Sequence, residues 1–245
     1  MPTGSAFVST PRSNRLLAAL PESDYEGLLP LLEPVRLPLG KALYESGGVQ
    51  GYVYFPTSSI VSLLYVLEDG SSAEIAVTGC EGLIGIALFM GGETTPSRAV
   101  VQSAGQGYRI RAAKLKTRFE AGGTLQLLLL RFTQALITQV TQTAVCNRHH
   151  AVDQQLCRWL LLSLDRLPAN DLVMTQELIA NMLGVRREGV TEAAGKLQAE
   201  GLISYSRGHI TVLDRPRLEA RVCECYAVVK KEYDRQLPDV VSTAR

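Results

Sequence analysis

The chain lacks the features that define several large classes of protein. Its 245 residues carry a formal net charge of only +1, and no apolar run approaches the roughly eighteen residues that a membrane span needs. The first ten residues show no basic stretch followed by an apolar one, so the sequence predicts no secretion signal. Its 5 cysteines are odd in number and irregularly spaced, which argues against a disulfide framework and favours the reducing cytosol.

Sequence motifs of the common enzyme folds are absent as well. The chain contains no nucleophile elbow, no P-loop and no Rossmann glycine pattern, and no pair of carboxylates stands at a glycine-rich turn. We therefore predict that the protein is not an enzyme. With 46% apolar residues the chain can build packed cores, and its length leaves room for two domains.

The most informative stretch is 175–197, which indicates two helices joined by a tight turn at Gly184. A helix-turn-helix places its second helix in the major groove of DNA, and Thr175 is suited to cap the first helix. The apolar positions that would hold the helices together are Ile179, Ala180, Leu183, Val185, Val190 and Ala193. The predicted DNA-binding residues are Thr175, Gln176, Arg186, Arg187, Glu188, Thr191, Glu192, Lys196 and Arg207.

A β-hairpin is predicted directly after these helices. Residues 201–205 and 209–213 are rich in strand-forming types, and residues 206–208 between them supply a glycine for the turn. Two helices followed by a hairpin with Arg207 near its tip describe a winged helix. Residues 153–217 contain eight Lys or Arg and eight Asp or Glu, so affinity for DNA must come from where the cations lie, not from their total.

The chain before residue 112 follows a different pattern. Residues 1–11 predict a loose arm, and 12–33 predict short amphipathic helices interrupted by Pro21 and Pro30. Short apolar runs separated by turn signals then favour an antiparallel β-roll, because no alternation of strands and helices appears. The predicted strands are 52–55, 60–67, 73–77, 99–102 and 108–111.

From residue 112 onwards the sequence predicts helices at 113–120, from Thr124 to about 150, at 152–163 and, as a C-terminal tail, at 217–237. A surface loop is predicted at 167–171. An apolar stripe on the long helix could pack on the chain's own β-roll or on a second copy. We favour a second copy, since major-groove readers usually bind as two-fold dimers. The stripe comprises Leu125, Leu128, Phe132, Ala135 and Gln139, with Leu129, Leu136 and Thr143 beside it.

This order of elements resembles the cyclic-AMP receptor protein and FNR (Crp/Fnr) family of bacterial transcription regulators. The helix-turn-helix and wing carry the likeness most strongly; residues 40–47, Asp69-Gly70 and residues 81–85 resemble parts of the family's β-roll. The resemblance implies an α+β fold: a cyclic-nucleotide-binding-like jelly roll within 1–118, a dimerisation helix within 119–151 and a winged helix-turn-helix within 152–245. It further implies a homodimer on a palindromic operator of double-stranded DNA, RNA polymerase as a partner, and no membrane association.

Two departures from the family concern specificity. Arg187 and Glu188 match its base-reading pair, and Arg can pair with guanine while Glu accepts from cytosine. Glu192, however, stands where the family often has a second Arg. Members that bind cyclic AMP have a Glu after the glycine matching Gly85, where this chain has Ile86, and their Arg-Ser pair for the phosphate is reversed here. These changes disfavour cyclic AMP as the ligand. The predicted effector-pocket residues are Gly85, Ile86, Gly91, Gly92, Ser97 and Arg98.

Cys146, His149 and His150 offer an alternative function, a metal- or haem-dependent redox sensor. Cys146 and His150 are four residues apart and share a helical face, a spacing that can chelate. Two ligands do not close a zinc site, and Cys157 would have to join them. We favour a structural role, with Cys146 as a small apolar residue and the histidines at a hinge. Cys223 and Cys225, two apart on a predicted helix, are expected to point in different directions. No metal site is therefore assigned, and no cofactor is predicted with certainty.

Overall fold

The computed structural model describes residues 9–167 and 170–237. Residues 1–8 of the predicted arm, and 168 and 169 of the predicted loop, lie outside the described residues. The fold is α+β with antiparallel sheets, as the sequence predicts. Within the described ranges, no helix combines the length and the apolarity that crossing a bilayer requires.

The N-terminal half forms the β-roll. Two short helices precede it, α1 (Arg15–Ala18) and α2 (Glu22–Leu28), with 3-10 turns at Pro11–Ser13 and Leu29–Leu31. The strands are β1 (Glu33–Leu37), β2 (Ala42–Tyr44), β3 (Tyr52–Pro56), β4 (Ile60–Val66), β5 (Ser72–Thr78), β6 (Arg98–Ser103) and β7 (Gly105–Arg111). They form two sheets, ordered β1-β7-β3 and β2-β6-β4-β5. The five strands predicted from the sequence are present; β1 and β2 are additional, and of their residues Leu37 is buried while the others are partly or fully exposed.

Two helices follow the roll, α3 (Ala112–Glu120) and the 26-residue α4 (Thr124–His149). The apolar stripe predicted to face a second copy packs inside the chain instead: Leu129, Phe132 and Ala135 are fully buried. Phe132 lies so close to Gly82 of the roll that a Cβ at residue 82 would stand 2.0 Å from its ring. The prediction was wrong because an amphipathic helix buries its most apolar face on the nearest core, and that core is the chain's own roll and C-terminal helix.

The C-terminal half contains α5 (Val152–Leu164), α6 (Gln176–Leu183), α7 (Arg187–Ala199), α8 (Arg215–Arg221) and α9 (Glu224–Gln236). Its strands are β8 (Asp171–Val173), β9 (Ile203–Ser206) and β10 (His209–Val212), in the order β8-β10-β9. The predicted surface loop therefore ends one residue early, since Asp171 opens a strand that pairs with β10. The predicted C-terminal helix is two helices, separated where Val222 and Cys223 are extended.

Buried polar contacts join the two halves. Arg166, just beyond α5, forms an ion pair of 2.7 Å with Glu81 of the roll, and both side chains are buried. Arg166 also donates to Gln139 of α4, and Gln139 donates to the carbonyl of Val77. Burial lowers the pKa of Arg166, but Glu81, Tyr233 and Asp165 together raise it by more, so the guanidinium stays charged. The ion pair thus fixes the β-roll against the helical half.

Candidate DNA interface, sensor cavity and cysteine cluster

The turn between α6 and α7 has the geometry that the sequence predicts. Gly184 adopts a left-handed conformation, φ 66° and ψ 35°, in which glycine is favoured. The Thr175 hydroxyl caps α6 by accepting from the backbone N–H of Leu178 at 3.3 Å. Ile179, Leu183 and Val190 are buried between the two helices, whereas Val185 is partly exposed.

Helix α7 has one buried face and one exposed face. Val190, Ala193, Ala194 and Leu197 are buried. The exposed side chains are Arg186, Arg187, Glu188, Thr191, Glu192 and Lys196. The predicted DNA-binding residues of this helix therefore all reach the surface, on the face that does not contact the protein core.

Two internal contacts organise this exposed face. The Thr191 hydroxyl donates to Gln176 Oε1 at 2.8 Å, which joins the two helices at the surface. Lys196 Nζ lies 2.8 Å from the carboxylate of Glu192, one turn earlier on α7. This neighbour reduces the repulsion that Glu192 would exert on phosphates.

The wing tip lies beside the start of α7. Arg207 and Gly208 form a two-residue hairpin turn in which both φ angles are positive, 51° and 83°, as in a type I′ turn. Arg207 borders a groove together with Gln176, Arg187 and Tyr205. The Tyr205 hydroxyl donates to the carbonyl of Met174 at 2.8 Å and holds the wing against the entry to α6.

Two arginines of this groove, Arg187 and Arg207, lack a carboxylate partner within the described residues, and so does Arg186, the residue before Arg187; none of the three takes part in the ion pairs there. Their charges are available for an external anion. The structure thus concentrates cations at one edge of a half-molecule whose overall charge is balanced.

A second surface of interest is the outer face of α4. Six of the exposed residues on this helix follow an alternating spacing of three and four, the pattern of a helix-pairing seam. They are Leu127, Leu130, Gln134, Ile137, Thr141 and Ala144. Leu127, Leu130 and Ile137 are each 48% exposed, a large apolar exposure for one helix face. The seam is most apolar in its first two turns, at Leu127 and Leu130, and at its centre, at Ile137.

The β-roll encloses a cavity against α4 whose empty volume, including its open mouth, is about 690 Å³. No side chain that lines it carries a full charge: the described lining is Tyr44, Gln50, Leu63, Tyr65, Ile75, Ile86, Ala87, Thr95, Ser97, Leu136, Ile137, Val140 and Thr141. Burial raises the pKa of Tyr44, beside Ser97, so its phenol also stays neutral. Gln50 is 4% exposed, and both polar atoms of its amide lack a hydrogen-bond partner among the described residues.

The predicted effector-pocket residues are only partly brought together. Ile86 and Ser97 line the cavity; Gly85, Gly91, Gly92 and Arg98 are not among its lining residues. Arg98 pairs instead with Glu45 at 2.7 Å, at the surface of the roll. The cation that resembled a phosphate ligand in the sequence therefore has a carboxylate partner outside the cavity. No sequence signal identified Gln50, Thr95 or the α4 residues of the lining.

Strand β5 lies between this cavity and the helix-turn-helix. Ile75 lines the cavity, whereas Glu74 and Ala76 border a small internal space together with Met182 and Leu183 of α6. Burial raises the pKa of Glu74 to about 7. A ligand that displaces β5 would thus act on α6 through direct packing.

A cluster of sulfur and imidazole groups lies at the end of α4. The ligand atoms of Cys146, His150, Cys223 and Cys225 are all within 4.8 Å of one another. The expectation that Cys223 and Cys225 diverge was wrong, because Cys223 precedes α9 in an extended conformation and both sulfurs face Cys146. His149 is exposed and Cys157 is buried in the main core, so neither belongs to the cluster. All five cysteines are free thiols.

Comparisons with known proteins support the DNA-reading unit and the fold. Residues 154–221 match the Crp-like helix-turn-helix domain. A putative Crp/Fnr-family transcriptional regulator from Eubacterium rectale superposes with a TM-score of 0.66 at 19% identity, over 84% of this chain and 96% of that one. FixK2 from Bradyrhizobium japonicum also gives 0.66, at 17% identity over 78% and 98%. A CRP-family transcriptional regulator from Thermus thermophilus gives 0.62, at 18% identity over 76% and 95%. No curated protein sequence matches the chain.

The solved structures share the fold across most of this chain, and the proteins from Eubacterium rectale and Thermus thermophilus are named as transcriptional regulators. The sequence match is confined to the region that contains α6, α7 and the wing. Both findings confirm the resemblance predicted from the sequence: the chain has the fold of the Crp/Fnr family of transcriptional regulators and carries that family's Crp-like helix-turn-helix domain.

Proposed function

We propose that the protein is a sequence-specific transcriptional regulator that binds a palindromic operator as a homodimer and is gated by a ligand of its β-roll. One observation carries the proposal: α7 exposes Arg186, Arg187, Glu188 and Thr191 beside a wing tip that adds Arg207, and the arginines lack carboxylate partners in the described chain. Unpaired guanidinium groups on an exposed helix next to a basic wing suit a major groove flanked by phosphates. RNA polymerase is the further partner that the family resemblance implies.

Within this surface we assign reading and positioning roles. Arg187 and Glu188 lie in the first turn of α7, from which a helix-turn-helix contacts base edges, so they read sequence. Arg186 before that turn, Arg207 on the wing and Lys196 in the last turn of α7 contact phosphates. Thr191 and Gln176 hold each other across the two helices and present their remaining polar atoms to DNA. Thr175 acts indirectly, by capping α6, and Glu192 acts indirectly, by pairing with Lys196.

Arg187→Ala is expected to lose sequence preference while keeping weak affinity for any DNA. Removing one guanidinium that pairs with guanine costs about 1–3 kcal/mol, or roughly 5- to 150-fold in specific affinity. The measurement is a gel shift with a pool of promoter fragments, at two salt concentrations, against random-sequence competitor. Wild-type affinity should fall steeply with salt because phosphate contacts release counterions.

The matched control is Arg235→Ala. Arg235 is an exposed arginine on α9, where it pairs with Glu232, and we expect its loss to leave binding unchanged. If Arg187→Ala keeps the wild-type preference for particular fragments, Arg187 does not read bases and the assignment of α7 fails.

The homodimer forms through the exposed seam of α4 in this proposal. Two copies packed along Leu127, Leu130 and Ile137 would place their α7 helices on the same side of the pair and would cover the apolar side chains. The inner stripe is unavailable for this role because it is buried in the chain's own core.

The signal is an uncharged small molecule. Binding in the cavity would satisfy the unpartnered amide of Gln50 through hydrogen bonds, while the apolar lining excludes charge. Ile137 and Thr141 of the seam border the same cavity, and β5 contacts α6 from its other side. A bound ligand can therefore influence both the pairing of α4 and the position of the helix-turn-helix.

Cyclic AMP is expected not to bind. Its phosphate would enter a cavity whose described lining offers no cation, and Ile86 cannot accept from a ribose hydroxyl. A saturating ligand stabilises the fold by mass action, so millimolar cyclic AMP should move the thermal midpoint by less than about 1 °C. A concentration-dependent rise of several degrees, removed by Gln50→Leu, would instead place the nucleotide in the cavity.

A further inference from the structure

Two segments far apart in the sequence bring three sulfurs and one imidazole to a single point. Cys146 and His150 lie at the end of α4, and Cys223 and Cys225 lie at the start of α9. The Sγ atoms of Cys146 and Cys223 are 3.6 Å apart, and Cys225 Sγ is 3.5 Å from His150 Nδ1. The four atoms surround one small volume.

The backbone explains this convergence. His150 leaves α4 in an extended conformation, φ −107° and ψ 150°, so its ring returns toward Cys146, one turn back in the helix. Cys223 is likewise extended, φ −71° and ψ 162°, immediately before α9, which allows both Cys223 and Cys225 to face the same side. Neither pair alone could enclose an ion; together they supply four ligands.

Two of the distances between the ligand atoms match those around a tetrahedral ion. Zinc binds cysteine sulfur at about 2.3 Å and histidine nitrogen at about 2.0–2.1 Å, so neighbouring tetrahedral ligands lie roughly 3.5–3.8 Å apart. The two measured separations, 3.6 and 3.5 Å, agree with this range. We propose that Cys146, His150, Cys223 and Cys225 bind a structural zinc ion in a closed Cys₃His site.

The surroundings of the cluster suit a metal better than a set of packed thiols. The three cysteines are buried in a small cluster separate from the main core, with Val222 as the partly buried apolar residue packed against it. His150 Nε2 lies 3.4 Å from the carboxylate of Glu224, which leaves Nδ1 toward the sulfurs. A carboxylate behind a ligating histidine orients the ring and fixes its tautomer.

The site would connect two parts of the fold that must move together. It lies at the junction between α4, which ends at His149, and α5, which begins at Val152. The site connects this junction to α9, which packs along α4. With four protein ligands the ion keeps no open position, so its role is structural. Zinc would therefore hold the junction between the sensor half and the DNA-reading half in one geometry.

Metal analysis of tag-free wild-type protein, purified under reducing conditions after growth with zinc, tests the proposal. We expect about one zinc per chain, and below about 0.1 in Cys225→Ser and in His150→Ala. Two matched controls should keep their zinc: Cys157→Ser, a buried cysteine outside the cluster, and His149→Ala, the exposed neighbour of His150. Circular dichroism confirms that each variant remains folded.

A second measurement covers the case in which a ligand variant fails to fold. Chelator treatment of wild-type protein should lower its thermal midpoint, and Zn²⁺ but not Mg²⁺ should restore it; cobalt(II) should give the absorption of a tetrahedral thiolate site. Wild-type protein without stoichiometric metal, stoichiometric iron in place of zinc, or equal zinc in His149→Ala and His150→Ala would each overturn the assignment. These readouts do not involve DNA and so stay separate from the proposed function.

Discussion

Leu130→Asp is expected to convert the protein from a dimer into a monomer and to weaken binding to a two-half-site operator by about 100-fold or more. In a two-fold pair the seams of both copies meet, so each aspartate would lose water and would lie near its counterpart. The side chain is half exposed in the single chain, which means that the substitution leaves the core intact. The loss of operator affinity follows because each monomer then engages one half-site without the benefit of the second.

Light scattering after size exclusion gives the mass directly: twice 26.7 kDa for the wild-type protein and 26.7 kDa for the variant. Val228→Asp is the matched control, since Val228 is a similarly exposed apolar residue on α9, away from the seam. A variant that stays dimeric, or a wild-type protein that is already monomeric at micromolar concentration and on DNA, would show that α4 does not pair in this way.

Arg166→Met should destabilise the fold by about 3–5 kcal/mol, because Glu81 would remain buried without its partner. Arg166 also donates to Gln139 and to the carbonyl of Leu162, so its loss opens several hydrogen bonds at once. Urea denaturation measures the change in the free energy of unfolding.

The double variant Arg166→Met with Glu81→Leu separates the cost of leaving the Glu81 carboxylate buried and unpaired from the cost of changing the packing around it. Removing both charges should recover much of the lost stability, since two apolar residues of similar size can replace a buried ion pair. Arg235→Ala, which removes an exposed arginine from its pair with Glu232 on α9, should cost less than about 0.5 kcal/mol. If Arg166→Met costs no more than this surface control, the buried pair does not fix the two halves together.

The helix-turn-helix was predictable because its signals are local. Thr175 as a cap, Gly184 at the left-handed turn and Arg207-Gly208 at the hairpin each act within a few residues. The strands β2 and β8 were missed because three-residue strands at a sheet edge leave little alternation in the sequence.

The orientation of α4 could not be settled from the sequence. Two apolar stripes overlap on this helix, one starting at Leu125 and one at Leu127, and the period of 3.6 residues identifies both. Only the position of the roll and of α9 decides which one is buried. The stripe that starts at Leu125 is the more apolar one and is buried, whereas the stripe that starts at Leu127 mixes apolar and polar residues and is exposed.

The cysteine cluster could not be predicted from local sequence patterns, for a similar reason. Cys146 and His150 are adjacent on one helix face, but Cys223 follows 77 residues later. Its approach depends on the return of α9 along α4, and on the helix break at Val222 that lets two cysteines face one point. The sequence also placed Arg98 in the effector pocket, because it could not show that Glu45 lies beside it.

The central claim is that the exposed face of α7 reads operator DNA as part of a two-fold pair. Selection of genomic DNA fragments by the purified protein, followed by sequencing, tests it most directly. We predict an enriched inverted repeat whose half-sites are centred about 10–10.5 base pairs apart, or a multiple of this, and a degraded motif with Arg187→Ala. Fragments with no shared motif, or an identical motif from the variant, would contradict the account.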